Sequence, residues 1–202
     1  MIGRRGERKM VDGSVLFWKY KPGGDWLFDF ADWLICKTTH SDKVHTAICL
    51  HDVVYESTVW FQPISVLGIT INWPHSGVKK LTLQELDSVP SAEYAGHKEP
   101  VVSVAQDAAQ WMVQYAEAQI RKKRPYNIPE LVAMLLIWPT RWIWRALTWA
   151  PFTATFLGNF CSTFVEKCWL SGFCLVPLSD TNFTPPSELD ESSRLKPQMQ
   201  YP

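Results

Sequence analysis

Hydrophobic positions recur along this chain with two spacings, an alternation of about 2 residues early on and a period of about 3.6 in later segments. Residues 15–20 (VLFWKY) are an apolar run that predicts a short strand, stopped by the turn-forming KPGGD that follows. Over 25–37, Trp26, Phe30 and Trp33 recur at helical spacing and predict a helix with one aromatic face. Residues 43–50 and 53–60 are rich in β-branched side chains and are separated only by His51 and Asp52. That pattern predicts an antiparallel hairpin, although His-Asp lacks the glycine that two-residue turns favour. Further strand-like pieces lie at 69–73 and 78–83, and the polar stretch 84–102, broken by Pro90, Gly96 and Pro100, predicts a loop.

The clearest helical pattern covers 103–123. Ser103 and Gln106 make a capping-box pair, and Val104, Ala108, Trp111, Tyr115 and Ala118 form a stripe. Asn127, Pro129 and Glu130 open a further helix expected over 128–138. Gly158 and Asn159 then punctuate the chain before a short apolar helix over 160–170. From Ser179 the composition of Pro, Ser and acids predicts an extended tail, so a single domain over 1–178 is expected, with a Trp-rich helical insertion at about 128–157 and a tail over 179–202.

Composition narrows the function. A length of 202 residues with 47% apolar content suits one cored domain. Twenty basic residues against twenty acidic ones supply no cationic face, so nucleic acid is not the expected partner. The basic run 121–124 falls at a predicted helix end, where cations favour the dipole without any ligand. The five cysteines are odd in number and contain no CxxC, and no apolar segment follows MIGRRGERKMVDG, so reduced thiols and a cytoplasmic setting are expected. The spacings of Cys161, Cys168 and Cys174 do not suit zinc, and no metal or organic cofactor is expected.

No segment reads as membrane-spanning. Residues 131–138 are too few, and 146–165, though uncharged, include Pro151, Gly158 and Asn159. Trp138, Trp142, Trp144 and Trp149, interleaved with Arg141 and Arg145, fit either a helix half buried on the domain or a groove or docking face for a substrate, a membrane surface or a protein.

Candidate chemistry lies in two places. Asn159 is a good N-cap, which puts Cys161 in the first turn of its helix. Unpaired N–H groups and the helix dipole there stabilise a thiolate, although a cysteine at a helix start also serves simply as packing. In the hairpin, a turn at His51-Asp52 pairs Leu50 with Val53, Ala47 with Glu56 and His45 with Thr58. Glu56 is then the diagonal neighbour of His45 on the same face, within reach for long side chains. A glutamate beside a histidine fixes its tautomer and stabilises the imidazolium, yet the same pair also suits a solvated sheet face. His40, His51, His75 and His97 have no comparable partner in the pattern.

With His45, Glu56 and Cys161 in that order, the segments SDKVHTAICLHDVVYEST, KKRPYN, NFCSTFVEKCW and TPPSEL resemble the circularly permuted papain-like hydrolases related to NlpC, the YiiX and YaeF group. The resemblance covers 14–189, with the specificity concentrated in the His and Cys segments. It implies an α+β domain in which an antiparallel sheet carrying the His and Glu packs against a helix with the Cys at its N-terminus. It further implies Cys161 as nucleophile, His45 as base and Glu56 as the orienting acid. The expected activity is hydrolysis of an amide in a small or cell-wall peptide, with a lipid acyl substrate or a non-catalytic docking module as alternatives. Thr163 departs from the group, which commonly has an acidic residue there.

Overall fold

The computed structural model of the chain describes residues 10–23, 26–66, 69–86, 92–124, 161–172 and 186–197. Five strands form an antiparallel sheet: β1 (Ser14–Tyr20), β2 (Lys43–Leu50), β3 (Val53–Val66), β4 (Ile69–Leu81) and β5 (Ala92–Lys98), in the spatial order β4-β3-β2-β1-β5. Helix α1 (Trp26–Thr39) links β1 to β2, and α2 (Gln106–Arg121), α3 (Cys161–Ser171) and the short α4 (Pro186–Asp190) follow the sheet. The fold class is α+β, with a five-stranded antiparallel sheet.

Both faces of the sheet are covered, which explains why β1 and β2 are near-continuous apolar runs rather than clean alternations. Val15, Phe17, Ile48 and Leu50 face α2, α3 and α4, packing with Met112, Phe164, Val165 and Leu189. On the opposite face Leu16, Trp18, Ala47, Cys49 and Val54 pack with Ile35 of α1. The expected hairpin is present in the expected register, Leu50↔Val53, Cys49↔Val54 and Ile48↔Tyr55. His51 and Asp52 both take positive φ, 50° and 60°, as a tight two-residue hairpin turn requires. The Asp12 carboxylate supports the turn by accepting the His51 backbone N–H.

Several expectations change. The two pieces at 69–73 and 78–83 belong to one strand, β4, paired with β3 along its whole length. Residues 92–98, read as loop, form β5; AEYAGHK lacks a strong apolar alternation because it lies at a sheet edge and crosses a register shift against Phe17 and Trp18. The long helix starts at Gln106 after an Ala105 cap that makes no side-chain hydrogen bond, so Ser103 and Gln106 do not form the capping box. Its buried face is Ala109, Met112, Ala116 and Gln119, one position round from the expected stripe, and Trp111 is exposed. On α1 the aromatic face points outward: Trp26, Phe30 and Trp33 are 77%, 55% and 44% exposed. The expected extended tail instead contributes α4 and a bridge between Pro100 and Leu195, with Leu189 and Leu195 buried in the core. The helix expected over 128–138, the N-cap Asn159 and the tryptophans Trp138, Trp142, Trp144 and Trp149 lie outside the described residues. Among the described residues no helix is long and apolar enough to cross a membrane.

Candidate active site

Two features of strand β2 set the geometry of the site. The first is an extra residue. Trp18 of β1 pairs with His45, but Lys19 pairs with Lys43, so Val44 is bulged out just before His45. Such bulges bend a strand and re-aim the neighbouring side chain. The second is the length of the β2–β3 ladder, which spans only the three pairs nearest the turn although both strands run on beyond them. Past Ile48 and Tyr55 the two strands therefore no longer hydrogen-bond to each other in a ladder, and β3 goes on instead with β4.

Helix α3 packs on β2, β3 and α2, and its first residue, Cys161, is buried at 2% exposure. The cysteine is held there by the rest of its helix: Phe164, Val165 and Cys168 are fully buried one to two turns on, against the sheet and α2. Cys161 and His45 hydrogen-bond through their side chains. His45 Nε2 lies 2.8 Å from Glu56 Oε2, which leaves Nδ1 as the ring nitrogen for the sulfur. Lys79 of β4, the register partner of Glu56, places Nζ 3.0 Å from the other carboxylate oxygen. A chain of four groups, Cys161, His45, Glu56 and Lys79, thus crosses three strands and a helix.

The His45 ring has a wall as well as partners. Trp18 packs against it at 5.3 Å between ring centroids, and Trp18 is itself fixed by donating Nε1–H to the Leu86 carbonyl at 2.9 Å. Tyr94 of β5 meets the other part of that indole edge-on, 5.7 Å away.

Electrostatics favour a charged pair. Burial by itself would raise the Cys161 thiol, but the hydrogen bond and positive charge of His45, with the Thr46 N–H, outweigh it and hold the pKa below the ordinary thiol value. Burial would likewise lower His45; hydrogen bonds to Cys161 and Glu56 and their negative charges reverse that and raise it. Glu56 is 1% exposed, and burial alone would raise it; its bond to His45, with the charges of His45 and Lys79, holds it below the usual carboxylate range. Both shifts favour the thiolate–imidazolium form, in which the imidazolium N–H donates to the sulfur. The other described cysteines are different: burial pushes Cys36 up to about 11 and Cys49 up to about 12, and it raises Cys168 as well.

The three residues expected from the sequence, Cys161, His45 and Glu56, are therefore brought together. Besides Lys79 and Trp18, two more residues at the site escaped the sequence pattern. Thr46 follows His45 and turns both backbone and side-chain donors toward the sulfur. Asp32, on the inner side of α1, carries a carboxyl that interacts with the His45 charge and is raised to about 7 by burial, with His45 opposing and Asp29 adding to the shift. An acid two residues after Phe30 was the available signal for Asp32, since it places the carboxyl on the side of the helix away from Trp26 and Phe30. Among the described residues no cluster of three His, Cys, Asp or Glu side chains is arranged to hold a metal ion.

Comparison of the chain with protein-family models, with curated proteins and with solved structures gives no match.

Proposed function

We propose that the protein is a cysteine-dependent hydrolase of permuted papain-like type that cleaves amide bonds, with Cys161 as nucleophile, His45 as acid and base, and Glu56 as the group that orients His45. The observation that carries this reading is the convergence of a helix-start cysteine, a buried histidine and a buried glutamate, with the thiol and imidazole shifted in opposite directions toward the ion pair. Opposed shifts of that kind are what nucleophilic thiol chemistry needs, because the thiolate and not the thiol attacks a carbonyl.

In the proposed reaction the Cys161 thiolate adds to the carbonyl carbon of the amide. The positive end of the α3 dipole, at Cys161, stabilises the developing oxyanion. His45 gives its proton to the departing amine, leaving a thioester on Cys161. Neutral His45 then takes a proton from water as it adds to the thioester, and collapse releases the acid and restores the thiolate–imidazolium pair. Glu56 keeps the ring oriented and stabilises its positive charge through each transfer, while Lys79 balances the charge of Glu56. A peptide or a cell-wall peptide is the proposed substrate class.

The test needs no substrate. Iodoacetamide labelling at neutral pH, read cysteine by cysteine by mass spectrometry, should modify Cys161 at least tenfold faster than Cys36, Cys49 and Cys168, given the direction of their shifts. His45→Ala should remove that advantage. Uniformly slow thiols in the wild-type protein would overturn the proposal.

A further inference from the structure

Thr46 is fully buried, 0% exposed, yet its Oγ1 has no hydrogen-bond partner. A buried hydroxyl without a partner is uncommon, because the group gives up water and receives nothing in return. Valine fills nearly the same space in a strand without that loss, so the hydroxyl calls for a reason. Its position supplies one. Along β2, Thr46 alternates with Ile48 and Leu50, which face α3 and pack with Phe164, Val165 and Cys168. Cys161 lies one turn before Phe164 and Val165 on the same helix, so the Thr46 side chain lies over the start of α3. The ladder to β3 has already ended at Ile48, which leaves the Thr46 N–H free of β3 and directed at the sulfur. The hydroxyl points the same way but stands outside hydrogen-bonding alignment.

We infer that the Thr46 hydroxyl is a further residue of the reaction site, a donor that turns onto the Cys161 sulfur when the sulfur is a thiolate and lets go when it becomes a thioester. A thiolate is a strong acceptor and a thioester sulfur a poor one, so the hydrogen bond is made in the state that attacks and lost in the acylated state. The backbone N–H and the hydroxyl of one residue then hold the anion together, opposite the charge supplied by His45. The inference rests on the reading of Cys161 as a thiolate nucleophile.

The experiment is the rate of Cys161 carboxamidomethylation as a function of pH in the full chain, for the wild type, Thr46→Val and Thr46→Ser, with folding of each checked by thermal unfolding. In Thr46→Val the inflection should move upward, giving about tenfold slower labelling below the wild-type inflection. In Thr46→Ser, which keeps the hydroxyl and loses only the methyl, the profile should stay near that of the wild type. A Thr46→Val profile that superimposes on the wild type overturns the inference and leaves the reading of Cys161 intact. A Thr46→Ser profile displaced as far as that of Thr46→Val overturns it too, since the methyl would then be responsible. A wild-type Cys161 with no lowered inflection overturns the reading of Cys161 itself, and the role of Thr46 with it.

Discussion

Two carboxyls act on His45, and they titrate in opposite directions. Glu56 is held below the usual carboxylate range by His45 and Lys79, so it is an anion wherever the protein is folded at neutral pH. Burial raises Asp32 of α1 to about 7, with the His45 charge opposing the shift and Asp29 adding to it. A carboxyl whose folded pKa lies above its unfolded value costs stability once it ionises. The cost is absent below the unfolded pKa, grows as pH rises from there, and is complete above about 7. Replacing Asp32 with Asn should therefore leave stability unchanged at acid pH and increase it at pH 8, by on the order of 1–3 kcal/mol after allowance for its partial exposure. Urea midpoints at the two pH values measure this. An equal gain at both would mean that the effect of Asp32 is steric and not electrostatic. Retaining an acid that destabilises its own helix is understandable beside a reacting imidazole, where charge is arranged for chemistry at the expense of stability.

At the level of elements, the β2–β3 hairpin was legible because one turn and a period of two fix which side chains share a face. Placing His51 and Asp52 in the turn puts His45 and Glu56 on one face, but the expected pairs Ala47–Glu56 and His45–Thr58 do not form, and the 2.8 Å bond is made where the two strands have parted. The parting of β2 from β3 was not legible, because no residue type marks the point where a strand changes partners. Strand β5 was missed for a related reason: AEYAGHK is paired to β1 along only one edge, so half its residues need no apolar character. The face of α2 was read one position off because Trp111 and Tyr115 outweighed the smaller Ala109, Met112 and Ala116, and it is the small residues that allow close packing. That closeness is greatest at the end of α3. A Cβ placed on Gly172 would come within 2.8 Å of Met112 Cγ and 3.0 Å of the Ala108 carbonyl oxygen. Gly172→Ala should thus push the C-terminal end of α3 off α2, lowering stability by about 1–3 kcal/mol. Because α3 carries Cys161 at its other end, the same change should slow Cys161 labelling, and a variant with lower stability but unaltered labelling would show that the two ends of the helix move independently.

Across the whole molecule, the excess of tryptophan divides by exposure. Trp18 and Trp169 are buried in the two cores on either side of the sheet, whereas Trp26, Trp33 and Trp111 are exposed along with Phe30. Phe30 and Trp33 stack on each other at 6.0 Å on the outer side of α1, so this apolar area is contiguous and not scattered. The chain also carries twenty positive and twenty negative side chains, with a pI near 6.9. At neutral pH there is no net repulsion between copies to oppose contact through exposed aromatic surface. Concentration-dependent association should therefore be strongest near pH 7 and weaken at pH 5.5 and pH 9, where net charge of either sign returns. Static light scattering over a concentration series follows this directly. Trp26→Ser combined with Trp33→Ser should suppress the association at pH 7 while leaving the Cys161 labelling rate unchanged, since both side chains point away from the sheet and the reacting groups. Association that is indifferent to pH would exclude the charge argument, and association that survives the double substitution would exclude the α1 surface as its seat.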